Sequence, residues 1–393
     1  MKDSLKISQK LSPRKYALFT GTLLLTSTGL ITRVLGFFYR IFLSRTIGAE
    51  GLGLYNMVHP VFGICFALCA GSIQTAISQS VAANVRKGRS IFQTGLVISV
   101  STSFILAWLI IRFQDFLAGS ILMEPRCAPL LTYIAVSVPC AAIHACINGY
   151  YYGMQRTRVP AFAQVVEQSV RIGAVFLIAD IMMEAGVEIT VQLAVAGHLI
   201  GEIASTLYTV AASQFFPPKL PDGTDAAEPD SKGRRLTAAA DSFRQTAPAL
   251  MALALPLMGN RLVLNILSSA EAIWIPGSLN RFGLSNSEAF SIYGVLTGMA
   301  LPFILFPSTI FNSLAVLLLP TVAEAQSEGN ERRIAGTISM SLRYCLYVGI
   351  LCIGIFTLFG NDLGVSVFKD ENAGSFIMTL AWQIGRASCR ERV

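Results

Sequence analysis

The chain has 393 residues, of which 53% are hydrophobic and only 13% are charged, and its mean hydropathy is +0.59. Soluble domains carry about 25% charged residues, so a soluble fold of this composition would expose large apolar patches to water. The composition also excludes a disordered chain and a disulfide-stapled secreted module. The net charge of +7 does not indicate a simple nucleic-acid binder, because the basic residues lie between apolar runs and are better explained by a membrane.

Nine apolar runs are long enough to cross a membrane as helices. A helix needs about 20 apolar residues to cross a hydrocarbon core of roughly 30 Å, whereas barrel strands would alternate over about ten residues. The first run is predicted to be a retained helix, because it is too long for a signal peptide and contains Arg33 and Arg40. The runs are residues 16–43, 52–83, 91–111, 130–152, 160–183, 191–215, 247–275, 289–319 and 338–359, and a tenth begins near Ala373.

The connections between these runs alternate in charge. The N-terminal tail and the connections after the second, fourth, sixth and eighth runs hold most of the lysines and arginines, and the other connections hold few. The positive-inside rule therefore predicts a cytoplasmic N-terminus.

A polar stretch at 217–245 divides the chain. It is rich in Pro, Asp, Lys and Gly, and it is predicted to be a flexible cytoplasmic linker. We therefore predict an N-terminal six-helix bundle at 1–215, a linker at 216–246 and a partial C-terminal bundle of helices seven to ten at 247–384. Residues 385–393 follow a run too short to cross, and they are expected to be a truncated or non-native tail.

Two short matches indicate that the two halves repeat. GLITRV at 29–34 resembles MGNRLV at 258–263, so each half has one arginine within its first helix, and EGLGLY at 50–55 resembles EAFSIY at 288–293. Both matches run in the same direction, which predicts halves related by an axis along the membrane normal, as in known transporters.

Polar side chains form one stripe on each of several predicted helices. An ionisable group at membrane depth costs at least about 2.5–3.5 kcal/mol, and such groups usually face a bundle interior or a wet cavity. Residues three, four or seven apart share a helix face, so the stripes are predicted to line a hydrated central space. The stripes are His144, Asn148 and Tyr151; Gln164, Glu167, Gln168 and Arg171; His198, Glu202 and Ser205; and Asn260, Arg261, Asn265 and Ser268.

Some of these side chains have a purely structural alternative. Glu167 with Arg171, and His198 with Glu202, are spaced i,i+4 and could neutralise each other. The asparagines could form hydrogen bonds between helices, and Arg40, near the outer end of its helix, could snorkel to the interface.

The arginines indicate what kind of ligand the central space would take. Arg33 and Arg261 have no acid three or four residues away, and both fall in the middle or outer half of their helices. Arginine keeps its charge when desolvated and binds phosphate bidentately, which favours an anionic headgroup such as a pyrophosphate over a cationic drug. The candidate substrate-binding residues are Arg33, Arg40, Arg171, Arg261, Asn148, Asn260 and Asn265, and the candidate residues for coupling to a cation or proton are Glu167 and Glu202.

No residue pattern indicates catalysis, a cofactor or a dedicated metal site. The eight cysteines contain no CxxC pair and no zinc-spaced cluster with histidine, and most lie in apolar runs as small hydrophobes. Since no DxD and no nucleophile constellation occurs either, we expect no enzyme activity.

The first two predicted helices resemble a known family. GLITRVLGFFYR at 29–40, followed by LSRTIGAEGLGLY at 43–55, is similar to the polysaccharide-biosynthesis and stage V sporulation protein B family of bacterial flippases. That family belongs with lipid II flippases and multidrug extruders in the multidrug/oligosaccharidyl-lipid/polysaccharide exporter superfamily.

The resemblance implies an all-α polytopic protein of the bacterial plasma (inner) membrane, with two pseudo-symmetric helical bundles around a V-shaped central cavity and the second bundle incomplete in this chain. It implies alternating access and transfer of an undecaprenyl-pyrophosphate-linked oligosaccharide or peptidoglycan precursor, with membrane lipids as the surrounding partners. Arg33 matches the first-helix arginine that lipid II-flipping relatives need, and Arg261 is similar to their cavity arginine in the second bundle.

Two other functions stay open at this point. A multidrug or cation antiporter of the same fold would show unpaired acids in its cavity, whereas intramembrane arginines outnumber acids here. A membrane-embedded glycosyltransferase or polymerase would place acids or histidines on sizeable loops, and apart from the linker the loops here are short.

Overall fold

A computed structural model describes residues 13–217, 232–308, 322 and 329–383, with side chains except at 13–20, 22, 232–242 and 333. These residues are almost entirely helical and contain no strand, which confirms the all-α prediction. The helices are α1 (Pro13–Thr46), α2 (Gly48–Ala83), α3 (Gly88–Arg112), α4 (Ala128–Gly153), α5 (Arg158–Glu184), α6 (Val191–Phe215), α7 (Lys232–Arg281), α8 (Asn286–Leu305), α9 (Glu331–Phe368) and α10 (Glu371–Leu380).

Each of the nine predicted runs lies in one of the helices α1 to α9 over the part that the structure describes. The structure describes the eighth run through the end of α8 and on to residue 308, and the rest of this run lies outside the described residues. Residues 218–231 of the predicted linker and the predicted tail at 385–393 also lie outside them.

Local sequence signals explain where several helices begin. Ser285 and Glu288 form a capping box at the start of α8, in which the Ser285 backbone nitrogen donates to Glu288 Oε2 at 2.8 Å. The Asp370 side chain accepts from the backbone nitrogen of Ala373 at 2.9 Å and so caps α10. Gly48 has a φ of +69°, a conformation that glycine adopts without strain, and it allows the chain to turn from α1 into α2.

Seven helical segments of the described chain are long and apolar enough to cross a membrane. They correspond to α2, α3, α4, α6, α7, α8 and α9. The helices α1 and α5 contain 34 and 27 residues, which is enough length for a crossing, but they are not among the seven segments. The protein is therefore a multi-pass membrane protein.

The exposed surface of these helices is strongly apolar. On α3 the side chains of Phe104, Ile105 and Trp108 are each about 60% exposed, and Leu346 and Ile350 on α9 are exposed to a similar degree. A soluble protein rarely leaves so many large apolar side chains in contact with water, whereas lipid tails solvate them.

The described residues group into two compact units, one within Met1–Leu54 and Leu279–Val393 (unit 1) and one within Tyr55–Ser278 (unit 2). This grouping differs from the predicted bundles at 1–215 and 247–384, which stay a prediction. The difference arises because α7 packs on α2 within unit 2, while α1 contacts α8 within unit 1.

In unit 2, α4 is the central helix and packs against α2, α3 and α6. Its glycines make the contact with α2 close, since a Cβ at Gly149 would lie 2.6 Å from the carbonyl oxygen of Gln74. Ile73 and Ile77 of α2 share one apolar core with Cys146 of α4 and Leu250 of α7. The helices α5 and α6 pack along each other, which brings the polar faces of α4, α5 and α6 together.

In unit 1, the two repeated segments at 50–55 and 288–293 meet. A Cβ at Gly53 would overlap the carbonyl oxygen of Phe290, and a Cβ at Gly294 would overlap that of Ala49. The Ser287 hydroxyl donates to Glu50 Oε2 at 2.7 Å in the same crossing. The start of α2 and the start of α8 therefore cross through backbone-to-backbone contact, which only glycine permits there.

Arg45, in the last turn of α1, bonds the end of α9 within the same unit. Its Nη2 donates to the carbonyl oxygens of Ser366 and Val367 at 3.0 and 2.7 Å, and its Nε donates to Val367 at 2.9 Å. The last carbonyls of a helix lack partners inside the helix and carry partial negative charge, so the guanidinium both caps α9 and ties it to α1.

Candidate functional site

The polar stripes of α4, α5 and α6 meet in one place inside unit 2. We call this group the buried polar cluster, and its six residues are His144, Asn148, Glu167, Arg171, His198 and Glu202. The prediction placed these stripes around a hydrated space, whereas the structure packs the three of them against one another. The close packing of α6 on both α4 and α5 is the physical reason.

Glu202 and His144 form the centre of the buried polar cluster. Glu202 Oε2 lies 2.8 Å from His144 Nε2, and the two residues are only 4% and 9% exposed. Asn148, one turn along α4, places its Nδ2 3.5 Å from His144 Nδ1 and so approaches the other ring nitrogen. The imidazole is thereby held between a carboxylate and an amide from two different helices.

Glu167 and Arg171 form the second ion pair, one turn apart on α5. Arg171 Nη2 donates to Glu167 Oε1, so the structure shows the i,i+4 neutralisation that the sequence left open. Gly201 of α6 makes room for this pair, since a Cβ there would lie 3.1 Å from both Arg171 Nε and the carbonyl oxygen of Glu167. The pair is joined within its own helix and covered by α6.

His198 and Glu202, the other i,i+4 pair that the sequence left open, approach each other only loosely. His198 Nε2 is 3.9 Å from Glu202 Oε1, which is within ion-pair distance but too far for a hydrogen bond, whereas His144 Nε2 lies 2.8 Å from Glu202 Oε2. The His198 ring is 3% exposed and packs edge-on against Phe62, with ring centroids 4.6 Å apart. Neither of its ring nitrogens has a hydrogen-bond partner among the described residues.

The buried polar cluster can hold a cation or a proton. His144, Glu167 and Glu202 each offer one ligand atom, and these three atoms lie within 4.8 Å of one another. With both imidazoles neutral, two carboxylates and one guanidinium leave a net charge of −1. An uncompensated buried charge is costly, so a bound cation or a proton on an imidazole stabilises the cluster.

Arg261 occupies a second polar location in unit 2. It lies near the middle of the apolar segment Phe243–Arg281 of α7, and its Nη2 donates to Thr75 Oγ1 of α2 at 3.2 Å. Gly71 makes this contact possible, because a Cβ there would overlap Arg261 Nη1. Gly71 ends a π-helical turn, Ala67–Gly71, a distortion that recurs at functional sites in helices. No carboxylate of the described residues pairs with Arg261.

The predicted asparagines fall in three different surroundings. Asn265 donates from Nδ2 to the carbonyl oxygen of Arg261 at 2.8 Å, and it packs where a Cβ at Gly63 would overlap its Oδ1. Asn260 is exposed. Asn148 belongs to the buried polar cluster, so the structure does not bring it together with Arg261.

The two predicted arginines of α1 belong to unit 1. Arg33 is exposed and forms no hydrogen bond with any described residue. Arg40 is half-buried, and its Nη1 lies 3.4 Å from the carbonyl oxygen of Thr297, within the π-helical turn Val295–Ala300 of α8. A π-helical turn frees carbonyl oxygens from the regular helix pattern, which gives Arg40 an acceptor.

Sequence reasoning missed part of this site. His144 was placed on a polar stripe but not among the functional candidates, although its partner Glu202 was one of them. The sequence also did not reveal that Gly63 makes room for Asn265 and that Gly71 makes room for Arg261. The i,i+4 spacing of His144 and Asn148 was the available signal for the first. No local signal identifies which glycine faces which side chain of another helix.

Three comparisons with known proteins agree with this architecture. A family model described as polysaccharide biosynthesis protein matches residues 18–326. Stage V sporulation protein B of Bacillus subtilis (strain 168) is 30% identical over 373 residues, which cover 93% of this chain and 70% of that protein. The lipid II flippase MurJ of the same organism is 23% identical, over 87% of this chain and 64% of its own length.

Solved structures resemble this chain in fold. A multidrug resistance MATE family transporter of the MOP superfamily matches in its inward-facing conformation with a TM-score of 0.57 and 16% identity, over 93% of this chain and 75% of that one. An outward-facing conformation of such a transporter matches with a TM-score of 0.55, also at 16% identity, over 93% and 79%. At these identities the likeness is one of fold.

Helix order, membrane-spanning segments and fold define the class as a multi-pass, helical membrane protein whose fold is similar to that of MATE family transporters. The chain belongs to the polysaccharide biosynthesis protein family, since that family model covers most of it and the stage V sporulation protein is 30% identical. The family resemblance drawn from the segment at 29–55 is thereby confirmed.

Proposed function

We propose that the protein flips an anionic, lipid-linked glycan precursor across the bacterial inner membrane by alternating access. The precursor would be an oligosaccharide or a peptidoglycan unit linked to undecaprenyl pyrophosphate. The observation that carries this proposal is Arg261, a guanidinium held near the middle of an apolar helix by Thr75, with no described carboxylate paired to it. Membership in the polysaccharide biosynthesis family and similarity to a lipid II flippase support the same substrate class.

The chemistry of the headgroup follows from the arginines. Arg261 uses a hydrogen of Nη2 for Thr75, and its Nη1 and Nε donate to no described residue, so N–H donors remain for a phosphate. Arg33 is likewise unpaired among the described residues, while Arg171 is bonded to Glu167 and is the weaker candidate. In this proposal the arginines bind the pyrophosphate and the polyprenyl tail stays in lipid.

Glu167 and Glu202 supply the proposed coupling to a cation or proton. Both carboxylates lie in the buried polar cluster, whose charge of −1 with neutral imidazoles favours the binding of a cation or a proton. The buried polar cluster contains Asn148 and Arg171 but not Arg261, so binding of the coupling ion and binding of the headgroup are proposed to occur at separate places.

A multidrug or cation antiporter is the second candidate function. The specific observation in its favour is the fold similarity to MATE transporters together with two neighbouring carboxylates, the buried Glu202 and the partly buried Glu167. The unpaired arginines count against a cationic substrate, because like charges at membrane depth repel. A membrane-embedded glycosyltransferase or polymerase is the third candidate, and no observation of the described residues favours it.

The function is tested by a headgroup-accessibility assay in vesicles that contain the purified protein and labelled, undecaprenyl-pyrophosphate-linked precursors. We expect the labelled headgroup to become accessible on the opposite face faster than in protein-free vesicles. Vesicles of the same preparation are assayed with a fluorescent organic cation as the control substrate. Transport of the organic cation without any flipping of the precursor would replace this proposal with the antiporter.

The orientation of the chain is tested by labelling with a membrane-impermeant thiol reagent. We propose that the N-terminus is cytoplasmic, which places the α2–α3 connection inside and the α7–α8 connection outside. Lys87 is an exposed residue of the first connection, and Asn280 is exposed in the last turn of α7, next to the second connection. In intact cells, Asn280→Cys is expected to react and Lys87→Cys only after permeabilisation, with the unsubstituted chain as the background control. The reverse pattern would invert the topology.

A further inference from the structure

We propose that the buried polar cluster binds a divalent transition-metal ion of the Zn²⁺ class through His144, Glu167 and Glu202, with His198 as the fourth ligand. This names a cation for the coupling site and so rests on that part of the proposed function, but it concerns binding alone and holds whether or not the protein flips a lipid.

The first support is the geometry of the ligand atoms. One imidazole nitrogen and two carboxylate oxygens lie within 4.8 Å of one another, and each comes from a different helix. Zn²⁺ bonds such atoms at about 2.0–2.2 Å, so two ligand atoms of one tetrahedral ion lie about 3.3–3.6 Å apart. Ligand atoms that now lie up to 4.8 Å apart therefore need to approach by up to about 1.5 Å.

The second support is independent of the carboxylates. His198 is only 3% exposed, its Nε2 lies 3.9 Å from Glu202 Oε1, and neither ring nitrogen has a hydrogen-bond partner among the described residues. A buried polar group without a partner costs about 1–3 kcal/mol, which natural proteins seldom leave uncompensated. A metal ion beside Glu202 would give this imidazole its missing partner.

The ligand types select the class of cation. Na⁺, Mg²⁺ and Ca²⁺ are hard ions held by oxygen ligands, and a site built for them gains little from histidine. Imidazole suits Zn²⁺ and its first-row neighbours, which also accept carboxylates. Two histidines and two carboxylates form a set of four that matches tetrahedral zinc.

Arg171 is the positively charged side chain of the cluster. Its Nη2 donates to Glu167 Oε1, one oxygen of a carboxylate that we assign to the ion. In metal sites a charged or hydrogen-bonding neighbour commonly orients the side chain that binds the metal. We assign this role, the orientation of the Glu167 carboxylate, to Arg171.

The test uses the purified chain in detergent, without a polyhistidine tag and stripped with a chelator, titrated with Co²⁺ as an optical probe and then with Zn²⁺ in competition. We expect one ion per chain, the visible bands of tetrahedral Co²⁺ without thiolate charge-transfer absorption, and displacement by Zn²⁺. Glu202→Gln and His144→Gln are each expected to weaken binding at least about tenfold. Glu188→Gln, an exposed acid in the α5–α6 connection, is the matched control and is expected to bind as the parent does.

Several results would overturn the proposal. They are no saturable Co²⁺ or Zn²⁺ binding by the parent chain, binding with a thiolate signature from the cysteines, or equal binding by parent and folded cluster variants. If the variants fail to fold, the ligands are identified by X-ray absorption spectroscopy of the parent chain loaded with Zn²⁺. A zinc coordination shell that shows no imidazole scattering would exclude His144 and His198 as ligands and overturn the proposal. A parent chain that binds Zn²⁺ at this site but flips no precursor would refute the proposed function and leave the metal site intact.

Discussion

Arg261→Ala is expected to reduce flipping of a pyrophosphate-linked precursor by more than about tenfold while leaving insertion and expression near those of the parent. A hydrogen bond to a charged group contributes about 1.5–3 kcal/mol, which corresponds to roughly 10–150-fold in rate or affinity. The guanidinium is held only by Thr75 among the described residues, so its removal breaks no ion pair. Arg261→Lys keeps the charge but loses the planar fork, and we expect it to fall between the parent and the alanine variant.

The matched control for Arg261 is Arg244→Ala. Arg244 lies on the same helix, is exposed, and stands outside the middle of the apolar segment Phe243–Arg281. The Arg244→Ala variant is expected to flip precursor at the rate of the parent chain.

Arg33→Ala removes the exposed arginine of α1, which is unpaired among the described residues. This variant is expected to lose activity as Arg261→Ala does. Parent-level flipping by both Arg33→Ala and Arg261→Ala would remove the arginines from the mechanism.

Gly294→Ala is expected to destabilise the protein by about 3 kcal/mol and to lower its yield from membranes. A Cβ at this position would overlap the carbonyl oxygen of Ala49 and lie 2.7 Å from the backbone nitrogen of Gly53. Overpacking typically costs about 1–3 kcal/mol, and the cost is at the upper end here because backbone atoms cannot rotate away as a side chain does. The measurement is the apparent melting temperature of the detergent-purified protein.

The control for Gly294 is the same substitution at Gly336 on α9. A Cβ at Gly336 meets nothing within 4 Å, so Gly336→Ala introduces no clash. Alanine is the better helix former by about 1 kcal/mol, and Gly336→Ala is therefore expected to leave the melting temperature unchanged or slightly raised. Equal melting temperatures for the two alanine variants would show that the crossing of α2 and α8 is not as close as described.

The buried polar cluster shows which contacts between side chains can be predicted from spacing along a helix and which cannot. Spacing placed Glu167 beside Arg171, and the structure joins the two, because an i,i+4 pair is fixed by the pitch of one helix. Spacing also offered His198 as the partner of Glu202, yet Glu202 bonds His144, which lies 58 residues away in the chain. An isolated helix contains no information about a competing partner on its neighbour.

The surroundings of Arg261 also depend on a second helix that the sequence does not place beside it. The sequence identified Arg261 as an intramembrane charge without a local acid, and the structure agrees that no described carboxylate pairs with it. The space that admits it comes from Gly71 on α2, and the reason for that glycine appears only when α2 and α7 are packed together. Likewise, the repeat at 50–55 and 288–293 was visible in the sequence. The sequence did not show that the two copies contact each other, with Gly53 against the Phe290 carbonyl and Gly294, directly after the second copy, against Ala49.

The sequence by itself determined that this is a membrane protein of long apolar helices, where each helix lies, which side chains share a face of it, and to which family the chain belongs. Those properties depend on burial of apolar residues in lipid and on the helical period, and both act over neighbouring residues. Only the tertiary structure decided which polar faces meet, so that His144, Glu167, His198 and Glu202 form one cluster, while Arg261 lies elsewhere beside Thr75. In lipid, helix association depends on close packing and on hydrogen bonds between helices, and residues far apart in the chain supply both.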